Sequence, residues 1–272
     1  MSEHNPKQIL FSGKEDQQAI KVEQQDNLVS LHFDNGLIET QIDLSDPAVL
    51  PLKGNRQMLS PLLFGLVPAR VMLVGCGGGS IARWFHHHLP ETQGIAVEKS
   101  ATVIDLAWRF FEFPSPGQGW QIIHADASEY LQKLDQHFDL IIIDIESNQQ
   151  TPDWVSDEKF LINCQRLLSV SGTININLIA DTAEDFARQI WPIRQVFQNL
   201  TYCHASHISD DHNIKANHNI EAKNIFVTGF KAKPDMQNLQ NRAENAEKRF
   251  GIEFSLFYQE LLSDNPSNSG IF

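Results

Sequence analysis

Between Gln8 and Ile42 the chain runs in short stretches, ILF, AIKV, LVSLHF and LIETQI, punctuated by Asp26-Asn27 and Asp34-Asn35-Gly36. Apolar and polar positions alternating between turn residues predict a small antiparallel meander or a pair of hairpins. Asp46-Pro47 to Gly54 reads as a linker. Met58, Leu62 and Leu63 at helical spacing predict a short helix from Asn55 to Phe64. From Val71 the pattern changes. Val71 to Val74, Gly94 to Val97, Gln121 to His124, Phe138 to Ile143 and Gly172 to Leu178 are brief apolar runs, read as buried strands. Amphipathic stretches of helical period lie between them: Ile81, Trp84, Phe85, His88 and Leu89; Ile104, Ala107, Trp108 and Phe111 on one face; then Ser128 to Leu134 and Asp157 to Leu168. A long helix is expected from Ala183 to Leu200, with Phe186, Ile190, Ile193 and Phe197 inward and a kink at Pro192. Thr201 to Ser206 and Asn224 to Phe230 read as two final strands, joined by a polar connection over 207–222. Met236, Leu239, Ala243, Ala246 and Phe250, then Phe254, Phe257, Tyr258 and Leu261, mark two closing helices.

Strands alternating with helices of this length predict a mostly parallel sheet covered on both faces. Ligands in such sheets lie beyond the carboxyl ends of the strands. The first strand runs into Gly75, Cys76, Gly77, Gly78 and Gly79 and then a helix; the second ends at Glu98. Strand, glycine turn, helix, strand and acid make a βαβ nucleotide unit, with the acid about 20 residues past the turn, in reach of ribose hydroxyls. The dinucleotide fingerprint wants a small third residue where Ser80 stands; the pattern present is Gly-x-Gly-x-Gly at 75, 77 and 79. That form is typical of sheets that hold S-adenosylmethionine. Asp126 follows the third strand by one residue and Asp144 closes the fourth. Three acids at successive strand ends are the strongest functional signal in the chain.

Composition narrows the field. The 272 residues suffice for one large domain or a main domain with a smaller companion. No apolar run approaches the ~18 residues of a bilayer span, and the N-terminus is polar, so no membrane association and a cytoplasmic location are expected. Cys76, Cys164 and Cys203 are scattered and odd in number, which fits a reducing compartment. A formal net charge of −13 argues against general nucleic-acid binding and is compatible with a cationic substrate.

The segments VMLVGCGGGSIARWF, IAVEKS, IIHADASEYL and FDLIIIDIES, in that order and spacing, resemble the spermidine-synthase-like family. The lead-in DLSDPAVLPLKGNRQMLSPLLF and the later RLLSVSGTININL and NIFVTGF do so too, so the likeness spans roughly residues 28–232. The resemblance implies an α/β fold: a methyltransferase-like Rossmann seven-stranded sheet with a small N-terminal β-domain and C-terminal helices. The expected divisions are 1–54 for the β-meander and linker, 55–232 for the nucleotide-binding domain and 233–272 for the helical extension. It also implies a cofactor, S-adenosylmethionine or decarboxylated S-adenosylmethionine, held by Gly75, Gly77, Gly78, Gly79, Glu98, Lys99, Asp126, Ala127 and Asp144. Glu98 resembles the acid on the ribose, Asp126 with Ala127 the pair beside adenine, and Asp144 the catalytic carboxylate beside the attacking amine. A dimer is a further implication.

The departures are specific. Polyamine-synthesising members carry an Asp in the glycine turn that grips the cofactor's primary amine; Gly78 stands there. They carry a second Asp shortly after the catalytic one, where this chain has Asp144-Ile145-Glu146-Ser147-Asn148. Their aromatic-His-acid run in the lead-in helix is matched by Asn55-Arg56-Gln57. A lost acid at Gly78 and an arginine near the cleft favour the intact cofactor, so methyl transfer to a small, possibly cationic amine is the leading expectation, with Asp144 assisting deprotonation. The alternative is aminopropyl transfer making a polyamine; a second is a nucleoside-binding protein without catalysis. No metal is expected: His86-His87-His88 points in three directions on a helix, and Cys203, His204, His207, His212 and His218 have no compact ligand spacing.

Overall fold

Four strands open the chain in the computed structural model, which describes residues 6–15, 18–33, 36–147, 150–204 and 223–265. They are β1 (Gln8–Glu15), β2 (Gln18–Gln25), β3 (Leu28–Phe33) and β4 (Ile38–Asp43), paired antiparallel in chain order as the alternation predicts. Their inward residues Ile20, Val22, Val29, Leu31 and Ile42 bury against Val103, Leu106 and Phe111. Those partners belong to a helix of the main domain, so the small sheet is fastened onto it rather than standing alone.

The main sheet has seven strands in the order β10-β11-β9-β8-β5-β6-β7. These are β5 (Arg70–Val74), β6 (Gln93–Glu98), β7 (Trp120–His124), β8 (Phe138–Ile143), β9 (Leu168–Ala180), β10 (Asn199–His204) and β11 (Lys223–Phe230). β5 to β9 run parallel, and β11 is antiparallel to both β9 and β10. Helices α2 (Ser80–His88), α3 (Ala101–Phe110), α4 (Ala127–Lys133), α5 (Glu158–Leu167) and α6 (Ala183–Val196) fill the crossovers. One face of the sheet buries Val71, Leu73, Leu140 and Ile142 with Trp84 and Phe85; the other buries Met72, Val74, Ile141 and Ile143 with Leu161 and Ile193. Residues alternating along β5 and β8 thus enter two cores, which is why those strands are apolar throughout.

Three details depart from the expectation. The lead-in is not one helix: α1 (Lys53–Gln57) stops, and a 3-10 turn spans Ser60–Phe64 with Pro61 inside it. A proline lacks the N–H that would continue the α-helical ladder. In α3 the buried residues are Val103, Leu106 and Ala107, while Trp108 is exposed and Ile104 only half-buried. The small sheet covers a neighbouring stripe of α3 and rotates its buried face by one residue. α6 ends at Val196, and Asn199 already belongs to β10. The closing helices α7 (Leu239–Phe250) and α8 (Phe254–Asp264) join the main core through Ala243, Phe254 and Phe257.

Candidate active site

The carboxyl ends of β5, β6, β7 and β8 meet along one rim. β5 turns at Gly75, whose φ is +85°; a Cβ there would lie 2.1 Å from the Asp144 carbonyl oxygen. Only glycine lets the two strand ends approach so closely. The Cys76 N–H donates to Glu98 Oε2 at 3.1 Å and the Ser100 N–H to Oε1 at 2.9 Å. The turn and the acid therefore hold one another, and the carboxylate keeps lone pairs for a ligand.

Asp126 caps α4, accepting from the Ser128 N–H and hydroxyl at 2.9 and 2.6 Å. The hydroxyl bond, with the backbone N–H, holds its carboxyl below the usual range. It is both helix cap and rim residue. Asp144 is exposed to the cavity it lines, and its Oδ1 accepts from Asn177 Nδ2 at 3.0 Å. Loss of water at that depth raises its pKa, and the Asn177 bond offsets this only in part. It is a stronger base than an ordinary aspartate.

Above the rim is a cavity of about 1000 Å³. Gly75, Gly77, Glu98, Lys99, Asp126, Ala127 and Asp144 line it, brought together from four strand ends. Gly78 and Gly79 do not. The Gly78 N–H donates to Thr40 Oγ1 at 2.9 Å, and a Cβ there would meet Thr40 Cγ2 at 2.3 Å and Phe111 Cγ at 2.8 Å. Gly79 caps α2 with φ +80° under Phe113. Arg56 is absent from the wall as well, against expectation. Its Nε meets both Glu253 oxygens at 2.9 Å, and its Nη1 donates to the Leu50 and Pro51 carbonyls. A guanidinium so engaged has no reach into the cleft.

Sequence reasoning left the small sheet without a functional role, yet Glu15, Gln18, Glu39 and Thr40 line the cavity. Glu146 lines it too. Nothing in the sequence set Asn177 apart from Asn175 in the same strand run. His88 stacks on Trp84 and Nε2 lies 3.1 Å from the Ala48 carbonyl. His207, His212 and His218 lie outside the described residues. No helix among the described residues is long and apolar enough to cross a membrane.

A methyltransferase domain family matches residues 71–172. Polyamine aminopropyltransferases are similar over nearly the whole chain. That of Neisseria meningitidis serogroup A is 29% identical, covering 93% of this chain and 92% of its own. That of Chromobacterium violaceum is 29% identical, covering 92% of each. The mouse eEF1A lysine and N-terminal methyltransferase is 29% identical over 44% of this chain and 18% of its own. Among solved structures, a probable spermidine synthase of Corynebacterium glutamicum superposes with a TM-score of 0.72 at 19% identity, over 88% of this chain and 86% of its own. The spermidine synthase of Thermotoga maritima gives 0.69 at 18%, over 97% and 87%. Small antiparallel sheet, seven-stranded sheet, glycine turn and rim carboxylates are joined here in one order, and the chain is similar to polyamine aminopropyltransferases over nearly its whole length and shares the fold of the spermidine synthases.

Proposed function

We propose that this protein is an S-adenosyl-sulfonium-dependent transferase that alkylates an amine, and that the group it transfers is aminopropyl, from decarboxylated S-adenosylmethionine. The single observation that carries the choice is the charge of the wall. Among the described residues, six carboxylates, Glu15, Glu39, Glu98, Asp126, Asp144 and Glu146, face the cavity with one lysine, Lys99. The decarboxylated cofactor bears a sulfonium and an ammonium and no carboxylate, so it gains from that field; the intact cofactor brings a carboxylate into it. Likeness to aminopropyltransferases over 93% of the chain points the same way, whereas likeness to the eEF1A methyltransferases covers between 44% and 56% of it.

The residues fit such a ligand. The volume admits a nucleoside with an alkyl arm. Glu98, fixed by two backbone N–H groups, offers its remaining lone pairs to ribose hydroxyls. Asp126 and Ala127 stand at the next strand end, towards the base. When bound, the cofactor supplies a carbon made electrophilic by a positive sulfur that leaves as a neutral thioether. The protein's share is alignment and one proton. Asp144 attracts the acceptor's ammonium and takes its proton on the oxygen that Asn177 leaves open, directly or through water. An amine held in line by the wall then needs little further assistance.

Methyl transfer is the second reading, favoured by Gly78. Thr40 and Phe111 fill the place where polyamine-synthesising relatives carry an acid. Incubation of the protein with linear aliphatic diamines and each cofactor in turn, read by product mass, decides between them. The expected product carries an aminopropyl group, with kcat/KM at least about tenfold higher for the decarboxylated cofactor, the ratio one favourable charge contact supports. Asp144→Asn is expected to lower kcat about 100-fold or more while nucleoside affinity holds. A methylated product alone would overturn the aminopropyl reading.

A further inference from the structure

Two consecutive residues of β4, Glu39 and Thr40, line the cavity together. A regular strand sends neighbours to opposite faces, so only one of the two could do so. The pairing with β3 explains the exception. Leu31 opposes Thr40 and His32 opposes Ile38, so Glu39 is one residue more than the ladder needs. That is a β-bulge, which breaks the alternation and re-aims a side chain. Gln41, the next residue along, keeps its regular place opposite Ser30, donates to the Ser30 hydroxyl at 2.9 Å and does not line the cavity.

The bulge sits against the glycine turn. The Gly78 N–H donates to Thr40 Oγ1 at 2.9 Å, and a Cβ on Gly77 would lie 2.8 Å from the same oxygen. Glu39 is one residue from that contact, about 3.8 Å along the chain. The turn offers no anion of its own. Gly75 to Ser80 hold no acid, and burial, with Glu98 nearby, raises the Cys76 pKa well above that of an ordinary thiol, which keeps it neutral. Three acids of the wall are already engaged: Glu98 by the Cys76 and Ser100 N–H groups, Asp126 by the cap of α4, Asp144 by Asn177. Glu146 follows Asp144 by two residues, and Glu15 ends β1, three strands across the small sheet from β4. Glu39 is the acid that the fold brings to the turn by a device of its own.

We propose that Glu39 is the carboxylate that binds the ammonium of the cofactor's aminopropyl arm, and so the residue that selects the decarboxylated cofactor over the intact one. This rests on the aminopropyl reading above. On that reading the nucleoside end lies at Glu98 and Asp126 and the acceptor at Asp144. The arm's ammonium then calls for a further carboxylate, and β4 supplies it from across the turn. Such a contact is charge-assisted. The intact cofactor carries a carboxylate on the carbon that bears the amine, and Glu39 repels it.

The test compares wild type with Glu39→Gln, which keeps the length and polarity of the side chain and removes its charge. Glu15→Gln and Glu146→Gln are measured beside it. Decarboxylated S-adenosylmethionine, S-adenosylmethionine and methylthioadenosine, which has no ammonium, are titrated calorimetrically into each. Glu39→Gln is expected to weaken the decarboxylated cofactor about tenfold or more, to narrow its advantage over the intact one, and to leave methylthioadenosine within about twofold. Equal loss for methylthioadenosine assigns Glu39 to structure and overturns the inference. Unchanged affinity for the decarboxylated cofactor, or a loss confined to the Glu15 or Glu146 variant, also overturns it; the aminopropyl reading stands as long as wild type forms the aminopropylated product. A wild type that binds the intact cofactor more tightly and forms only methylated product overturns both.

Discussion

Asp144, the proposed base, sits at a strand end where its charged form is disfavoured, with Asn177 as partial compensation. A carboxyl whose pKa is raised on folding destabilises the protein only when ionised. Below the unfolded value near 3.8 the group is neutral in both states and the penalty is absent. It grows as pH rises through the raised value and is constant above it. Asp144→Asn should therefore melt at a higher temperature than wild type at neutral pH, and the gap should close as the pH falls towards 4. Thermal melts of both proteins across that range check this; a gap that widens on acidification contradicts it. Glu98 and Asp144 were legible in the sequence because a strand's last residue in a parallel sheet faces the ligand rim. Asn177 was not, because the bond that gives it a place in the site is made to a residue 33 positions away.

The contact between the small sheet and the glycine turn is the clearest case at the level of elements. Thr40 of β4 accepts from the Gly78 N–H, and Thr40 and Phe111 together occupy the volume a side chain at 78 would need. Arg83, 1% exposed in α2, donates to the Pro47 and Phe111 carbonyls at 2.8 and 2.7 Å, fastening the linker and the end of α3 to the same turn. Burial lowers its pKa to about 10, so it remains a cation at neutral pH. Gly78→Asp alone should therefore destabilise the protein by about 1–3 kcal/mol through overpacking, seen as a Tm drop of about 2–4 °C per kcal/mol for a chain of this size. Adding Thr40→Ala removes the nearest clash and should recover part of that drop in a thermal melt. No recovery would mean that Phe111, not Thr40, closes the site. The five parallel strands of the main sheet were readable from their apolar runs, while β10 begins at Asn199, two residues before the expected Thr201. The buried face of α3 was not, because a periodicity argument assumes one covering layer and α3 has two.

The whole chain carries 34 acidic against 21 basic residues, but the cavity wall, among the described residues, carries six acidic residues to one lysine. The bias at the site is steeper than that of the molecule, so it reflects placement and not composition alone. It is assembled from both sheets: Glu15 and Glu39 come from the small one, and Glu98, Asp126, Asp144 and Glu146 from the main rim. On the proposed function, a diamine entering this cleft would be drawn by charges on two walls, and low-dielectric walls focus that field. Mobile ions compete for the same charges, over a Debye length of about 10 Å at 0.1 M salt and about 3 Å at 1 M. KM for a diamine should therefore rise severalfold between about 0.05 and 0.5 M salt, with kcat nearly constant because screening weakens the long-range capture of the cation more than a direct contact once it is bound. A monoamine of equal length carries half the charge and should show about half the slope on a logarithmic plot. Steady-state kinetics at a series of salt concentrations measure both slopes. Equal slopes for the two amines would mean that the second charge finds no field, and the acids of the small sheet would then have no part in recognising the acceptor.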